Sequence, residues 1–232
     1  YFGEVKTKPA EVTGDFADLM KLCDKYTRLV VRTNADTPHD AQVARNFGAV
    51  GIGLCRTEHM FFDNEKIKAM REMILSDTVE GRKKALEKLL PYQTKDFYGI
   101  LKAMDGCPVN IRLLDPPLHE FVPHDLAGQQ TMAEEMGLTI AEIQKRVDSL
   151  SEHNPMLGHR GCRLAITYPE LYETQVGAIE RATEQLDIEG TKHDVRIMIP
   201  NVVTYREIEQ IRSQAEEVIA NVNKELGTSL KF

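Results

Sequence analysis

The sequence predicts an α/β protein, a (β/α) barrel whose parallel sheet stops after about five strands. Short apolar segments alternate with helical patterns along the chain, an order that calls for a parallel sheet with helices packed outside it. Several apolar segments end in charged residues, and the carboxyl ends of parallel strands are where α/β folds place their chemistry. The length of 232 residues suits one large domain, and the (β/α) barrel is among the few single-domain folds of that size.

Five segments have the composition of strands, and the last residues resemble the start of a sixth. The five predicted strands are 29–33, 51–54, 109–113, 156–158 and 195–199, and the sixth begins at 229–232. A complete eight-stranded barrel needs about 250 residues, and residues 1–28 have the character of linker and helix. We therefore expect the chain to stop part-way round the barrel.

The predicted helices follow from their start and stop signals. Asp36 is a polar residue ahead of Thr37 and Pro38, which predicts a helix start, and Gly48 closes that helix. Capping boxes at 139–142 and 204–207 open two later helices. The full set of predicted helices is 36–48, 63–90 with a break near 76–77, 94–104, 139–152, 169–187 and 204–226.

Composition excludes several classes of protein. The net charge of −7 argues against general binding to nucleic acid or to an anionic membrane. No apolar run approaches the roughly 20 residues of a membrane span, and no signal segment opens the chain, so a cytoplasmic location is expected. The four cysteines lack metal-ligand spacing, which argues against zinc and predicts core-filling thiols: Cys23, Cys55, Cys107 and Cys162.

Two arginines stand at the ends of predicted strands. Arg56 follows the apolar run 51–54 and is itself followed by Glu58 and His59, while Arg112 lies near the end of 109–113 with Asp115 three residues on. Guanidinium groups match phosphate and carboxylate in a bidentate manner. The sequence therefore predicts a local anion site on an otherwise acidic protein, although each arginine could instead form an ordinary salt bridge.

Three longer stretches carry a specific resemblance. These are GIGLCRTEHMFF at 51–62, IRLLDPPLHEF at 111–121 and NPMLGHRGCRL at 154–164. Together they closely resemble the phosphoenolpyruvate (PEP)-utilising enzymes, in particular the pyruvate, phosphate dikinase branch. That family interconverts ATP, phosphate and pyruvate with AMP, diphosphate and PEP through a phosphohistidine on a swivelling domain. The resemblance implies that residues 29–232 are the N-terminal part of the PEP/pyruvate-binding barrel, and that residues 1–28 come from the preceding phosphohistidine domain.

The resemblance also implies roles for individual residues. Arg56 and Arg112 would bind the phosphate of PEP, Arg160 would add a third positive group, and Asp115 would orient an arginine. The family's Mg²⁺ ligands, a Glu and an Asp, and its catalytic acid, a Cys, would all lie beyond Phe232. We therefore expect no complete catalytic set and no metal site in this chain, and an isolated chain that is inactive. Weaker candidates for the site are Glu58, His59, His159 and Asn201.

Other interpretations remain open at this point. The chain could come from a phosphoenolpyruvate synthase-type relative, which uses water in place of free phosphate. Alternatively, an incomplete barrel could act as a non-catalytic interaction module, since its unpaired strand edges invite association. The expected partners are PEP or pyruvate, the phosphohistidine domain of the parent enzyme, and a second copy of the chain in a homodimer.

Overall fold

Four parallel strands form one sheet in a computed structural model that describes residues 3–8 and 10–229. The strands lie side by side in chain order, and each neighbouring pair is parallel. They are β1 (Thr33–Asn34), β2 (Ile52–Arg56), β3 (Pro108–Arg112) and β4 (Asp194–Met198). The predicted α/β class with a parallel sheet is confirmed, and the arrangement is compatible with one part of a (β/α) barrel.

Helices connect the strands and cover the sheet. Two 3-10 helices, Thr57–Phe61 and Leu118–Phe121, follow β2 and β3. The α-helices of the described residues are α1 (Gly14–Tyr26), α2 (Pro38–Asn46), α3 (Asn64–Leu75), α4 (Val79–Ala103), α5 (Leu126–Met136), α6 (Ile140–Leu150), α7 (Cys162–Thr167), α8 (Pro169–Glu189) and α9 (Tyr205–Leu226). Each strand-to-strand connection contains at least one helix, as parallel pairing requires.

The strand predicted at 156–158 is wrong. Its backbone makes local turns, in which Leu157 N donates to Asn154 O at 3.1 Å and Gly158 N donates to Pro155 O at 3.4 Å. Met156 and Leu157 are exposed, so their apolar character does not reflect burial in a sheet. The described residues therefore contain four strands where the sequence predicted five. Residues 230–232 of the predicted sixth strand lie outside the described part of the chain.

The first strand is also shorter than predicted. The apolar segment Leu29–Val31 is exposed, and pairing with β2 begins only where Thr33 N donates to Gly51 O at 3.0 Å. A run of β-branched residues favours extended backbone, but a strand also needs a neighbour to supply hydrogen bonds. Residues 29–31 have no such neighbour among the described residues, so β1 consists of two residues.

One long helix replaces two predicted ones. The sequence predicted a helix ending near residue 90 and another beginning at 94, but α4 runs from Val79 to Ala103 with Pro91 inside it. Proline lacks the N–H that would bond four residues back, which is why it predicts a break. Here, α4 has buried residues both before and after Pro91 and packs against α3 and α8, and this packing keeps the helix continuous.

The two predicted capping boxes are present. Thr139 and Thr204 each accept from the backbone N–H three residues on, while Glu142 and Glu207 bond back to the cap residue. At α2 the predicted polar cap before Pro38 is confirmed: it is Thr37, whose hydroxyl accepts from Asp40 N. The carboxylate of Asp36 is thereby available for another contact.

The sheet has one covered face and one open face. Val109 and Ile111 of β3 and Val195 of β4 are buried in the main hydrophobic core, whereas Arg196 and Met198 of β4 are exposed. Alternation of this kind is expected of a barrel wall, whose second face lines the interior. Outside the sheet, a buried ion pair between Arg82 and Glu170 joins helices α4 and α8.

The cysteines partly follow their prediction. Cys55 and Cys162 are buried and Cys107 is half-buried, but Cys23 is exposed on α1, so its assignment to the core is wrong. The helix α1 has no buried residue at all. Across residues 3–8 and 10–229, no helix combines the length and the apolar character needed to cross a membrane.

Candidate anion-binding site at the carboxyl end of the sheet

The predicted arginines lie at one edge of the sheet. Arg56 is the last residue of β2 and Arg112 the last of β3, and their Cα atoms are register partners. Leu113 N donates to Met198 O at 3.0 Å, which places the end of β4 beside them. Because the strands are parallel, all side chains that follow their carboxyl ends share this edge. The register therefore brings together groups that are far apart in the sequence.

Arg56 is held by Asp36, an acid that follows β1. Its backbone N–H donates to Asp36 Oδ1 at 2.7 Å, and its Nε and Nη2 donate to Oδ2 at 3.0 and 2.7 Å. His59 Nδ1 contacts the same Oδ2 at 2.8 Å. Burial raises the pKa of Asp36, but hydrogen bonds and charge from Arg56 outweigh burial and leave that pKa below its ordinary value. Asp36 is therefore a buried carboxylate that contacts both Arg56 and His59.

Arg112 lies between two acids. Its Nη2 contacts Glu58 Oε1, and its Nη1 lies 3.0 Å from Asp115 Oδ2. Glu58 and Asp115 are both buried. Arg112 Nε and Glu58 Oε2 are buried as well and have no hydrogen-bond partner among the described residues. The guanidinium is thus rigidly placed while keeping unused hydrogen-bonding capacity.

Arg160 approaches from the loop before α7 and shares Asp115 with Arg112. Its Nη2 lies 3.0 Å from Asp115 Oδ2 and its Nε 3.4 Å from Oδ1. Asn201, which follows β4, donates from Nδ2 to Asp115 Oδ1. Arg160 Nη1 also contacts Met156 Sδ at 3.6 Å. A single carboxylate therefore ties the ends of β3 and β4 to the Arg160 loop.

Backbone geometry fixes the Arg160 loop against the sheet. Gly161 has a φ of 57°, and a Cβ there would lie 2.9 Å from Asn201 Nδ2 and 3.1 Å from Pro200 O. Gly161 N donates to Asp115 O at 3.0 Å and Cys162 N donates to Pro200 O at 3.1 Å. Asn201 itself has a φ of 58°, a left-handed conformation that asparagine tolerates. Glycine is required at 161 because it adopts a positive φ readily and because a side chain would collide with Asn201 and Pro200.

The charges of the site are balanced in the absence of a ligand. Three arginines contact three buried carboxylates, which are those of Asp36, Glu58 and Asp115. The arginine side chains differ in accessibility, since Arg56 is 37% exposed, Arg112 20% and Arg160 14%. Each guanidinium has five N–H donors and spends only some of them on its acids. An incoming anion would therefore meet preorganised donors, above all those of Arg56.

A metal ion does not fit the described residues. Residues 3–8 and 10–229 hold no group of three or more His, Cys, Asp or Glu side chains arranged to hold a metal ion. The acids of the site are already bound to arginine. Among the described residues, this edge of the sheet presents cationic hydrogen-bond donors positioned by carboxylates.

The predicted site residues form two adjacent ion-pair clusters at this edge, together termed the arginine network, with one member that was not predicted. In one cluster Asp115 contacts Arg112 and Arg160; in the other Asp36, which the sequence indicated only as part of a helix start, contacts Arg56. Of the weaker candidates, Glu58, His59 and Asn201 lie in the network. His159 lies outside it, because its Nε2 contacts Thr167 Oγ1 at 3.0 Å.

Comparison with known proteins identifies the family to which this edge of the sheet belongs. A family model described as "PEP-utilising enzyme, PEP-binding domain" matches residues 10–231, almost the whole chain. The chain belongs to this family. The match includes every strand and every residue of the arginine network, so the resemblance carried by the three sequence motifs is confirmed at the level of the family.

Individual relatives give the same result. The chain is 53% identical over 232 residues to a pyruvate, phosphate dikinase of Giardia intestinalis and 48% identical over 233 residues to that of Clostridium symbiosum. It is 50% identical over 233 residues to a chloroplastic pyruvate, phosphate dikinase of Flaveria trinervia. These alignments cover 99–100% of this chain but 24–27% of each relative. The chain therefore spans about a quarter of the length of the curated relatives it matches.

Proposed function

We propose that the arginine network binds PEP and pyruvate as the substrate-binding part of a pyruvate, phosphate dikinase. The observation that carries the proposal is the register of Arg56 and Arg112 at adjacent strand ends, with Arg160 tied to Arg112 through Asp115. The relatives' names support the dikinase over a phosphoenolpyruvate synthase-type reaction. The whole reaction would convert ATP, phosphate and pyruvate into AMP, diphosphate and PEP through a phosphohistidine.

The side chains of this site suit the phosphoryl end of that substrate. A transferring phosphoryl group spreads negative charge over its equatorial oxygens, so positioning and electrostatic stabilisation account for most of the catalysis. Arg56 and Arg112 would take phosphate oxygens, and Arg160 would hold the group from the loop side. Glu58 and Asp115 would keep the guanidinium planes fixed. We propose that the parent enzyme also uses Mg²⁺, held by residues other than those of the arginine network.

Binding of PEP to wild-type and variant chains tests the proposal. We expect Arg56→Gln to weaken PEP binding at least about tenfold, because it removes a charge-assisted bidentate contact. Arg196→Gln is the matched control, since Arg196 is an exposed arginine of β4 that pairs with Asp194. Isothermal titration calorimetry gives both affinities. Equal affinity of Arg56→Gln and wild type, or an equal loss in the control, would contradict the proposal.

We also propose that the chain works in an assembly, as a homodimer and against a phosphohistidine-bearing domain. The helix α1 supports this, because it carries exposed apolar residues and no buried ones. Its exposed apolar side chains include Phe16, Leu19, Met20 and Leu22. Phe16, Leu19 and Met20 are spaced i, i+3 and i+4 and so share one face of the helix, and an exposed apolar face of this kind marks contact sites. Light scattering after size-exclusion chromatography should give a dimer, and a monomer at all concentrations would refute the homodimer.

The proposed location is the cytoplasm. The relative from Flaveria trinervia is named as chloroplastic, whereas the name of the Clostridium symbiosum relative states no location. Fractionation of the source cells with antibodies to this chain would decide between the two, and recovery with an organelle would overturn the proposal.

A further inference from the structure

His59 is a titratable group inside the arginine network that the proposed function leaves without a role. It lies in the 3-10 helix Thr57–Phe61 and its side chain is 45% exposed. His59 Nδ1 and Arg56 Nη2 contact the same oxygen of Asp36, at 2.8 and 2.7 Å. The imidazole therefore stands next to the most accessible guanidinium of the site.

The contact with Asp36 determines which ring nitrogen carries the proton. An ionised carboxylate only accepts hydrogen bonds, so the Nδ1 that contacts it must donate. The pKa of Asp36 is lowered in the folded chain, which keeps this carboxyl ionised. In neutral His59 the second nitrogen, Nε2, then carries a lone pair and can only accept. After protonation Nε2 becomes a donor and the ring carries a positive charge.

The charged groups around His59 come from several elements. Asp36 precedes α2, Arg56 ends β2, and Glu58 lies beside His59 in the same 3-10 helix and contacts Arg112. The helix α3 follows His59, and its charged side chains pair with other helices. Those pairs are Lys66–Asp96, Lys68–Glu135 and Glu72–Lys88, with Glu65 accepting from Tyr92 and Arg71 donating to Phe121 O. Among the described residues, Nε2 of His59 has no hydrogen-bond partner.

We propose that His59 is a fourth cationic group of the anion site and that anion binding is coupled to uptake of one proton at its Nε2. The inference rests on the proposed function, because it needs an anion at Arg56. A neutral imidazole presents its lone pair to the anion and opposes binding, whereas the imidazolium donates a charge-assisted hydrogen bond. Histidine ordinarily changes charge between about pH 5 and 8, so the affinity for the anion should fall as the pH rises across that range.

Sulfate is the primary probe, since it stays doubly charged over this range whereas the phosphate of PEP titrates within it. We expect the sulfate affinity of the wild-type chain to fall about tenfold from pH 6 to pH 8. In His59→Gln, which keeps a neutral donor in a similar place, we expect a change smaller than about twofold. His193→Gln is the matched control, because His193 contacts Asp187 at 2.9 Å next to the opposite, amino end of β4.

The outcomes separate this inference from the proposed function. If wild type binds PEP through Arg56 but His59→Gln keeps the wild-type pH dependence, proton coupling is wrong and the proposed function stands. If wild type binds neither PEP nor sulfate at any pH, both are wrong. The ¹⁵N spectrum of the histidines gives a readout without ligand. In that spectrum neutral His59 should carry its proton on Nδ1, and Asp36→Asn should change the pH at which His59 takes up its second proton. A proton on Nε2 would overturn the inference independently of any binding result.

Discussion

Replacing Asp115 by asparagine should destabilise the folded chain more than replacing any exposed acid. Asp115 is buried and its carboxylate contacts Arg112, Arg160 and Asn201. Asparagine has nearly the same shape, so the substitution removes charge without creating a cavity. Its NH₂ group would face guanidinium donors, and the positive charges of the two arginines would lose their shared counter-ion.

The magnitude follows from the contacts. Two guanidinium contacts at 3.0 Å and one at 3.4 Å are weakened, and a hydrogen bond to a charged group contributes about 1.5–3 kcal/mol. Removing one partner of a buried pair costs about 3–5 kcal/mol. Arg112 keeps its contact with Glu58 and both arginines retain some exposure. We therefore expect Asp115→Asn to lower the free energy of unfolding by about 3 kcal/mol, or Tm by roughly 6–12 °C.

Urea unfolding at pH 7, followed by far-UV circular dichroism, measures this loss. Asp194→Asn is the matched control, because Asp194 also contacts an arginine with both oxygens, at 3.1 and 2.9 Å, but in an exposed pair. Exposed pairs contribute about 0–1 kcal/mol. Sulfate should recover part of the stability of Asp115→Asn, since an anion can replace the missing charge between Arg112 and Arg160.

Two results would refute the reasoning about Asp115. The first is a loss no larger than that of Asp194→Asn, which would mean that the buried network contributes no more than an exposed ion pair. The second is an equal effect of sulfate on wild type and Asp115→Asn, which would mean that the freed guanidinium groups do not attract an anion.

Two further predictions concern buried charges outside the site. Burial raises the pKa of Glu180 from 4.5 to about 7. The free energy of unfolding should therefore fall as pH rises through this interval, because the folded chain holds the proton more tightly than the unfolded chain. Glu180→Gln should stabilise the chain by up to about 3 kcal/mol at pH 8 and hardly at pH 4. If urea unfolding gives a difference in free energy of unfolding between variant and wild type that stays constant across this pH range, the prediction is wrong. Arg82→Met should cost about 3–5 kcal/mol by leaving Glu170 buried and unpaired, while Arg82→Met with Glu170→Leu should cost far less. Equal losses in the single and double variants, in the same assay, would show that the pair is not the cause.

The sequence allowed the edge of the sheet to be predicted because parallel strands align their ends. Arg56 and Arg112 each follow a short apolar run, and that local pattern is enough to place both at one edge. The capping boxes at Thr139 and Thr204 were equally predictable, since every atom of the motif lies within four residues. Features whose physics is local could therefore be inferred from the sequence alone.

Features that depend on distant partners could not. Asp36 precedes Thr37 and Pro38 in a pattern typical of a helix start, and nothing near it indicates a contact with Arg56, twenty residues on. Met156 and Leu157 have the composition of a strand, but no neighbouring strand pairs with them and both are exposed. Pro91 indicates a break that helix packing overrides. In each case tertiary contacts outweigh the local signal.

A crystal structure of the chain with PEP would test the central claim most directly. We predict that the phosphate lies within hydrogen-bond distance of Arg56 and Arg112, with Asp36 and Asp115 still bound to their arginines. The structure also offers a groove between α4, α8 and α9, lined by Lys83, Gly177 and Arg181 among others. PEP bound in that groove, with the arginine network empty, would contradict the assignment of the site.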